Sequence, residues 1–205
     1  MSLPCLTRGP APSGRLILRP ARPGDHEAIR AVVRAANAQY EAVTGSALFA
    51  CYVADLLDFE RHSRHGQLLV AELDGTVSGS AAFYPDVSVQ GVGWPSGWAG
   101  GRALAVHPAA RGHGVAQALV AAAECLAREH GAAVFALHTA SFMTAAVALY
   151  ARLGYRRAPE FDHDLGAYFG LDGQPKIRTI AYVRDLRADP SPRGRTSDAS
   201  RVKLR

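Results

Sequence analysis

The sequence predicts a single α/β domain, and three observations carry that prediction. Short apolar runs with strand character alternate along the chain with segments whose apolar residues recur at helical spacing. Asp74-Gly75 separates two of those runs, which is the signature of a tight hairpin. Between 101 and 131, an apolar run stopped by Pro108 leads through an Arg- and Gly-containing turn into a long amphipathic segment. A chain of 205 residues is long enough to bury a substantial core within one domain.

Taken in order, residues 1–14 are rich in Pro, Gly and Ser and read as a flexible arm. Leu16 to Arg19 is a first strand, broken by Pro23-Gly24-Asp25, where Asp25 is a natural N-cap with Glu27 in the first turn. Ile29, Val32, Val33 and Ala36 form one apolar face, so a first helix runs to about Tyr40. Phe49, Val53, Leu56 and Leu57 suggest a second helix that ends before Gly66. Leu68–Ala71 and Val77–Phe83 are the arms of the hairpin. Residues 85–98 form a long loop with Trp94 and Trp98, and long loops often carry function. After the strand, turn and helix of 101–131, Ala133–His138 is a fifth strand. Phe142, Ala146, Leu149 and Leu153 define a further helix closed by Gly154. Tyr155 opens a sixth strand, Glu160–Gly173 is an acidic and aromatic excursion, and Ile177–Leu186 is the last strand. Residues 188–205 lack periodicity and read as a disordered basic tail, which leaves 15–187 as the folded domain.

Composition narrows the function classes. Hydrophobic residues at 48% and charged residues at 20% are ordinary for a soluble globular protein. No apolar run is long enough to span a bilayer, and no apolar segment follows Arg8 as a signal peptide would require. The net charge of +5 invites a nucleic-acid reading, but residues 1–22 hold +4 and 188–205 hold +3, which leaves −2 on the folded part. Nucleic acid and membrane are therefore not expected partners. Cys5, Cys51 and Cys125 are odd in number and widely spaced, as expected of reduced thiols in a cytoplasmic protein, and they suggest neither a disulfide framework nor a metal site.

The turn at 111–116 is the richest stretch chemically. Val115, Ala118, Leu119, Ala122 and Leu126 lie on one face of the helix that follows it. The first N–H groups of a helix have no internal partner and sit at the positive end of its dipole, so a Gly-rich turn there is a ready site for a phosphate. A dinucleotide-binding fingerprint would place a third Gly where Gln117 stands, and a P-loop would end in Gly-Lys-Ser or Gly-Lys-Thr, which is absent. Arg111-x-x-Gly114-x-Ala116, preceded by Leu104-Ala-Val-His-Pro108, instead resembles the acyl-coenzyme A loop of the GNAT acetyltransferases, over about residues 15–187. The order of elements agrees with that resemblance, which implies a mixed, mostly antiparallel twisted sheet flanked by helices.

The resemblance implies site residues as well. Arg111, Gly112, His113, Gly114, Val115, Ala116 and Gln117 would meet the pyrophosphate of acetyl-CoA through backbone N–H groups. Leu104, Ala105 and Val106 would pair with the pantetheine amides where the fourth and fifth strands part. His107 reads more simply as a cap on its strand end. Tyr150 falls about 70° from the centre of its helix's apolar face, at an edge from which a phenol can reach a cleft. By resemblance it is the general acid for the leaving thiolate. Two departures stand out: Met143 occupies a position where the family often has Asn, and Gly100-Gly-Arg-Ala103 offers no carboxylate on the fourth strand. Glu72, Asp86, His138, Glu160, Asp162 and Asp164 are the remaining candidates for a base. Phe161, Tyr168 and Phe169, interleaved with acids that would suit a cationic amine, are candidates to close over the acceptor. The expected activity is N-acetyl transfer from acetyl-CoA to a primary amine in a ternary complex, without a metal. A sensor or scaffold that binds acyl-CoA but no longer transfers it is the alternative. Dimerisation is common in the resembled family, and the sequence itself neither requires nor excludes a homodimer.

Overall fold

A computed structural model describes residues 8–11, 14–171 and 176–187, with the main chain alone at 8–11 and 14. Nine strands form one sheet: β1 (Arg8–Ala11), β2 (Gly14–Pro20), β3 (Gln67–Leu73), β4 (Thr76–Tyr84), β5 (Ala99–Val106), β6 (Val134–Ala140), β7 (Arg156–Arg157), β8 (His163–Asp164) and β9 (Arg178–Asp185). Their order is β1-β2-β3-β4-β5-β6-β9-β7, with β8 also on β9, and β5–β6 is the parallel pair in an otherwise antiparallel sheet. The expected mixed sheet is therefore the observed one. β1 falls within the stretch read as an arm, and 188–205 lies outside the described residues.

Strand periodicity builds two cores. Along β3, Leu69 and Ala71 face one side of the sheet while Leu68 and Val70 face the other. Ala81 and Phe83 alternate with Ala82 and Tyr84 on β4 in the same way, as do Ile180 and Tyr182 with Ala181 and Val183 on β9. The helices are α1 (His26–Asn37), α2 (Glu41–Thr44), α3 (Ser46–Leu56), α4 (Phe59–His65), α5 (Val115–Glu129), α6 (Thr144–Arg152) and α7 (Leu165–Tyr168). α5 covers one face through Val115, Leu119, Ala122, Ala123 and Leu126, with Tyr150 of α6 beside it. α1 covers the other through Ile29, Val32, Val33 and Ala36, joined by Leu56 and Phe59. Both helical stripes match the sequence periodicity, since an apolar stripe has nowhere else to be buried.

Turn chemistry fixes the β3–β4 hairpin. Asp74 and Gly75 have φ of 51° and 81°, as a two-residue turn matching the strand twist demands. Leu73 then pairs with Thr76. The expected second helix is broken once, and a short helix not expected from the sequence precedes it. Gly45 at φ 77° separates α2 from α3, and Asp58 starts α4 by accepting a hydrogen bond from the Arg61 N–H at 3.0 Å. The apolar spacing of 49–57 concealed the break at Asp58. Asp25 does not cap α1 with its side chain; it accepts from the Arg22 N–H at 2.6 Å and pairs with Arg19 at 2.6 Å. The strand after Tyr155 is only two residues long, because Pro159 starts a 3₁₀ turn.

The expectation of three reduced thiols holds at Cys51, which is free, and fails at Cys125, which is disulfide-bonded. Spacing along the chain says nothing of which sulfurs the fold brings together, and that is why composition misjudged it. Cys5 lies outside the described residues. No helix among the described residues is long and apolar enough to cross a membrane.

Candidate active site

The site is a fork in the sheet. β5 and β6 run parallel and paired from Ala99/Phe135 to Gly101/Leu137, and no further. Two local features produce the parting. Gly100 lies so close to β6 that a Cβ there would sit 2.3 Å from the Ala136 carbonyl oxygen, so glycine holds the two strands together at the base of the fork. Immediately beyond it, β5 carries a bulge: Ala82 pairs with Arg102 but Ser80 pairs with Ala105, one extra residue on β5. Ala103 takes φ 53° within that bulge, a left-handed conformation that a residue with a Cβ seldom adopts. A bulge bends its strand and raises the local twist, and here the bend carries Leu104, Ala105 and Val106 away from β6.

Three cavities meet at the fork. The largest, about 400 Å³, runs between the strand end and α6 and is lined by Leu104, Ala105, Val106, Arg111, Ala116 and Met143, among others. A second, about 100 Å³, continues inward on the α5/α6 face and reaches Leu119, His138 and Tyr150; it shares Tyr52, Leu104, Met143 and Ala146 with the first. A third, about 80 Å³, opens on the opposite face of the sheet against Leu56, Gln90, His163 and Tyr168. The second and third share Gly101, Arg102, Ala103, His138 and Thr139, so the fork joins the two faces. Tyr52 of α3 lines all three.

At the mouth of the large cleft lies the loop read as a phosphate cradle. Gly112 and Gly114 have φ of 81° and 76°, where a Cβ would be strained. Gly114 leads directly into α5, so the N–H groups of Val115, Ala116 and Gln117 form its first, internally unpartnered turn. The start of α5 sits close on the sheet because Gly79 of β4 has no side chain; a Cβ there would lie 2.7 Å from Cγ1 of Val115. Val115 itself is buried, leaving its main chain toward the loop. Arg111 reaches the α1 end, donating to the Ala36 carbonyl at 3.3 Å, and His113 Nδ1 lies 3.0 Å from the Arg111 carbonyl. His107 is a cap: its Nδ1 accepts from the Ala109 N–H at 3.3 Å.

Tyr150 is 4% exposed and stacks beside Tyr155 and Tyr182, with ring centroids at 5.5 and 5.8 Å. Its hydroxyl has no hydrogen-bond partner among the described residues, and burial pushes its pKa up, which keeps the phenol protonated. Tyr52 is raised by burial in the same way.

The acids considered as bases are engaged elsewhere. Glu72 accepts from Arg19 Nε at 2.9 Å. Asp86 receives the Ser88 N–H and the Ser96 hydroxyl at 2.9 and 3.0 Å, and hydrogen bonding, from the Ser88 side chain first, lowers its pKa to about 2. Asp162 is bonded to Arg157 at 2.8 Å and to the Ala181 N–H at 2.8 Å, while Asp164 caps α7 through the Ala167 N–H at 2.8 Å. Glu160 is exposed. None of these five lines a cavity at the fork, whereas His138 lines two. Its Nε2 lies 2.9 Å from the Phe161 carbonyl, which can only accept, so the proton is on Nε2 and the lone pair on Nδ1. Burial lowers its pKa to about 4, leaving the ring neutral at pH 7. Trp94 stacks against it at 4.4 Å and Phe161 packs on Trp94 at 4.7 Å, so Phe161 supports the site from behind.

Sequence reasoning missed a polar cluster on the far face. Arg102 of β5 and Arg61 of α4 both bond to Asp55 of α3, the latter at 2.9 Å, and both donate to the Tyr168 hydroxyl, at 3.4 and 3.2 Å. Arg102 also donates to Gln90 Oε1 at 3.2 Å. The members are scattered between positions 55 and 168, and only the sheet brings them together.

The fold and fork agree with comparisons to known proteins. A family model described as the acetyltransferase (GNAT) family matches residues 29–155, more than half of the chain. The chain belongs to this family, a family of acyltransferases. Among solved structures, a GNAT-family acetyltransferase from Desulfovibrio desulfuricans superposes with a TM-score of 0.61 at 17% identity, over 83% of this chain and 99% of that one. An N-acetyltransferase from Staphylococcus aureus Mu50 gives 0.59 at 20%, over 83% and 98%. An acetyltransferase from Salmonella typhimurium, solved with its cofactor acetyl-CoA, gives 0.56 at 19%, over 86% and 97%. At these identities the likeness is one of fold. No curated protein matches the chain.

Proposed function

We propose that the protein is an N-acetyltransferase that moves an acetyl group from acetyl-CoA to a primary amine by direct attack in a ternary complex. The observation that carries this reading is the fork: a deep cleft on one face of the sheet continues into an inner cavity that shares Gly101, Arg102, Ala103, His138 and Thr139 with a small cavity on the other face. Two substrates entering from opposite faces would meet there, which is the geometry a direct transfer needs. The Salmonella structure contains acetyl-CoA, which supports the same ligand in the cleft here.

In this reading the N–H groups from Arg111 to Gln117 receive the pyrophosphate, with Gly112 and Gly114 giving the main chain close approach. The backbone of Leu104, Ala105 and Val106, freed from β6 by the bulge, pairs with the pantetheine amides as an added strand would. The amine nitrogen attacks the thioester carbonyl, the new N–C bond forms and the C–S bond breaks. Tyr150 gives its proton to the departing sulfur. After attack the nitrogen has become strongly acidic, so its proton passes to the neutral His138 even though that ring is a weak base, and solvent returns the balance.

Replacing Tyr150 by Phe tests the assignment and separates transfer from mere acyl-CoA binding. Thiol release should fall by about 10²-fold, the lower range for loss of a general acid, with acetyl-CoA affinity unchanged. An unchanged rate would remove Tyr150 from the chemistry.

A further inference from the structure

The small cavity on the α3/α4 face holds polar atoms that the fold leaves unmatched. Among the described residues, four buried side-chain nitrogen or oxygen atoms have no hydrogen-bond partner: Nε of Arg102, Nε of Arg128, Nδ1 of His163 and Oγ1 of Thr179. Three of the four belong to residues lining this one cavity of about 80 Å³. Buried polar atoms are almost always matched in folded proteins, and an unmatched one is costly. These three residues surround one space, so a polar guest there would lie beside them.

The charge around the cavity states the sign of that guest. Arg102 lines the cavity, and behind it Arg102 and Arg61 share a single carboxylate, Asp55, which is 7% exposed, so this cluster carries one positive charge more than negative. Arg102 is itself 18% exposed and sits over the Tyr168 ring at 5.5 Å, which holds its guanidinium plane in place. The histidines add no charge at neutral pH, since burial lowers both His138 and His163. Of the nearby acids, Asp162 is paired with Arg157 and Arg178 and Asp164 accepts from the Ala167 N–H, and neither lines the cavity. Arg102 Nε is a donor only and the Thr179 hydroxyl can donate, a set suited to an oxyanion. The volume admits a group of a few heavy atoms and not a peptide chain.

We propose that this cavity receives the carboxylate of the acceptor, so that the substrate class is a small primary amine carrying a carboxylate, such as a free amino acid. The proposal rests on the acetyltransferase reading and deepens it. With the carboxylate beside Arg102 and Thr179, a neighbouring amine points across the shared wall of Arg102, His138 and Thr139 toward the fork. The cationic site also disfavours amines that lack the anion, since their ammonium form would meet the Arg102 guanidinium with no carboxylate of its own to offer.

The test compares matched acceptors on the intact protein: free amino acids, including β-alanine and γ-aminobutyrate, against their carboxamides, with thiol release from acetyl-CoA as readout. Acetyl-CoA binding is measured in parallel by calorimetry. The best acid should exceed its amide at least tenfold in kcat/KM, chiefly through KM. The amide's amine is the more acidic of the two and more of it is free at pH 7, so this bias runs against the expected result. Arg102→Gln should bring the acid-to-amide ratio toward one, and Tyr168→Phe, which only removes a hydroxyl, should lower it in the same direction. In a protein that binds acetyl-CoA, amides used as well as acids, or no acid accepted at all, would overturn the proposal. Failure to bind acetyl-CoA would instead overturn the underlying reading, and the proposal with it.

Discussion

At the scale of single residues, burial decides protonation. His62 has no exposed surface; its Nε2 faces the Leu56 carbonyl at 3.1 Å, so Nδ1 must accept from the Tyr84 hydroxyl at 2.7 Å. The ring is thereby fixed neutral, and desolvation lowers its pKa, as it does for His138 and His163. Groups held neutral in this way contribute stability that is fully present above the unfolded histidine pKa of about 6.5 and is lost as pH falls below it. The urea midpoint should therefore drop between pH 7 and pH 5, a window in which the strongly paired Asp25, near about 2, does not titrate. A midpoint that is flat or rises on acidification would show that these rings are not buried neutral. The sequence made some residues legible and hid others. Gly114, Ala116 and Tyr150 stand at fixed offsets from one another's elements, so a local pattern reveals them. Tyr52, Arg102, Asp55 and Tyr168 come together only through long-range packing. Tyr52 sits among apolar residues of a helix, where nothing local separates a site phenol from a core one.

At the scale of elements, glycines set how closely the parts approach. Gly100→Ala would place a methyl 2.3 Å from the Ala136 oxygen and 2.4 Å from a Val87 methyl, both in the packed interior. We expect a loss of about 1–3 kcal/mol, the usual cost of overpacking, read as a lower urea midpoint. Gly79→Ala acts elsewhere: its methyl meets the Val115 side chain at 2.7 Å and must lift the start of α5 from β4. It should weaken acetyl-CoA binding more than it lowers stability, and the reverse pattern would place the anion site away from α5. Strands β3, β4, β6 and β9 and helices α1, α5 and α6 were readable because two-residue or helical periodicity marks each buried face. The bulge at Ala103 was not, since an alanine carries no signal for φ 53°. Nor was the break at Asp58, which a short-range capping residue imposes on an unbroken apolar spacing.

At the scale of the whole molecule, the sheet brings together parts far apart in sequence. The large cleft is built from α1, α3, β5, α5 and α6, and the opposite cavity from α3, β5, β6, α7 and β9, with Tyr52 of α3 lining both. The folded part carries little net charge by sequence, so the local surplus at Arg102 and Arg61 is a property of the site and not of the surface at large. The disulfide at Cys125 is a second feature that the whole fold alone reveals. In the proposed function, the cleft opened by the β5 bulge, with the Arg111–Gln117 loop at its mouth, takes acetyl-CoA. A calorimetric titration with acetyl-CoA, with desulfo-CoA and NAD as comparisons, tests it most directly. Saturable one-to-one binding of acetyl-CoA and desulfo-CoA is expected in the micromolar range, near −8 kcal/mol (about 1 μM), with NAD inert. No heat of binding from acetyl-CoA, or equal binding of NAD, would contradict it.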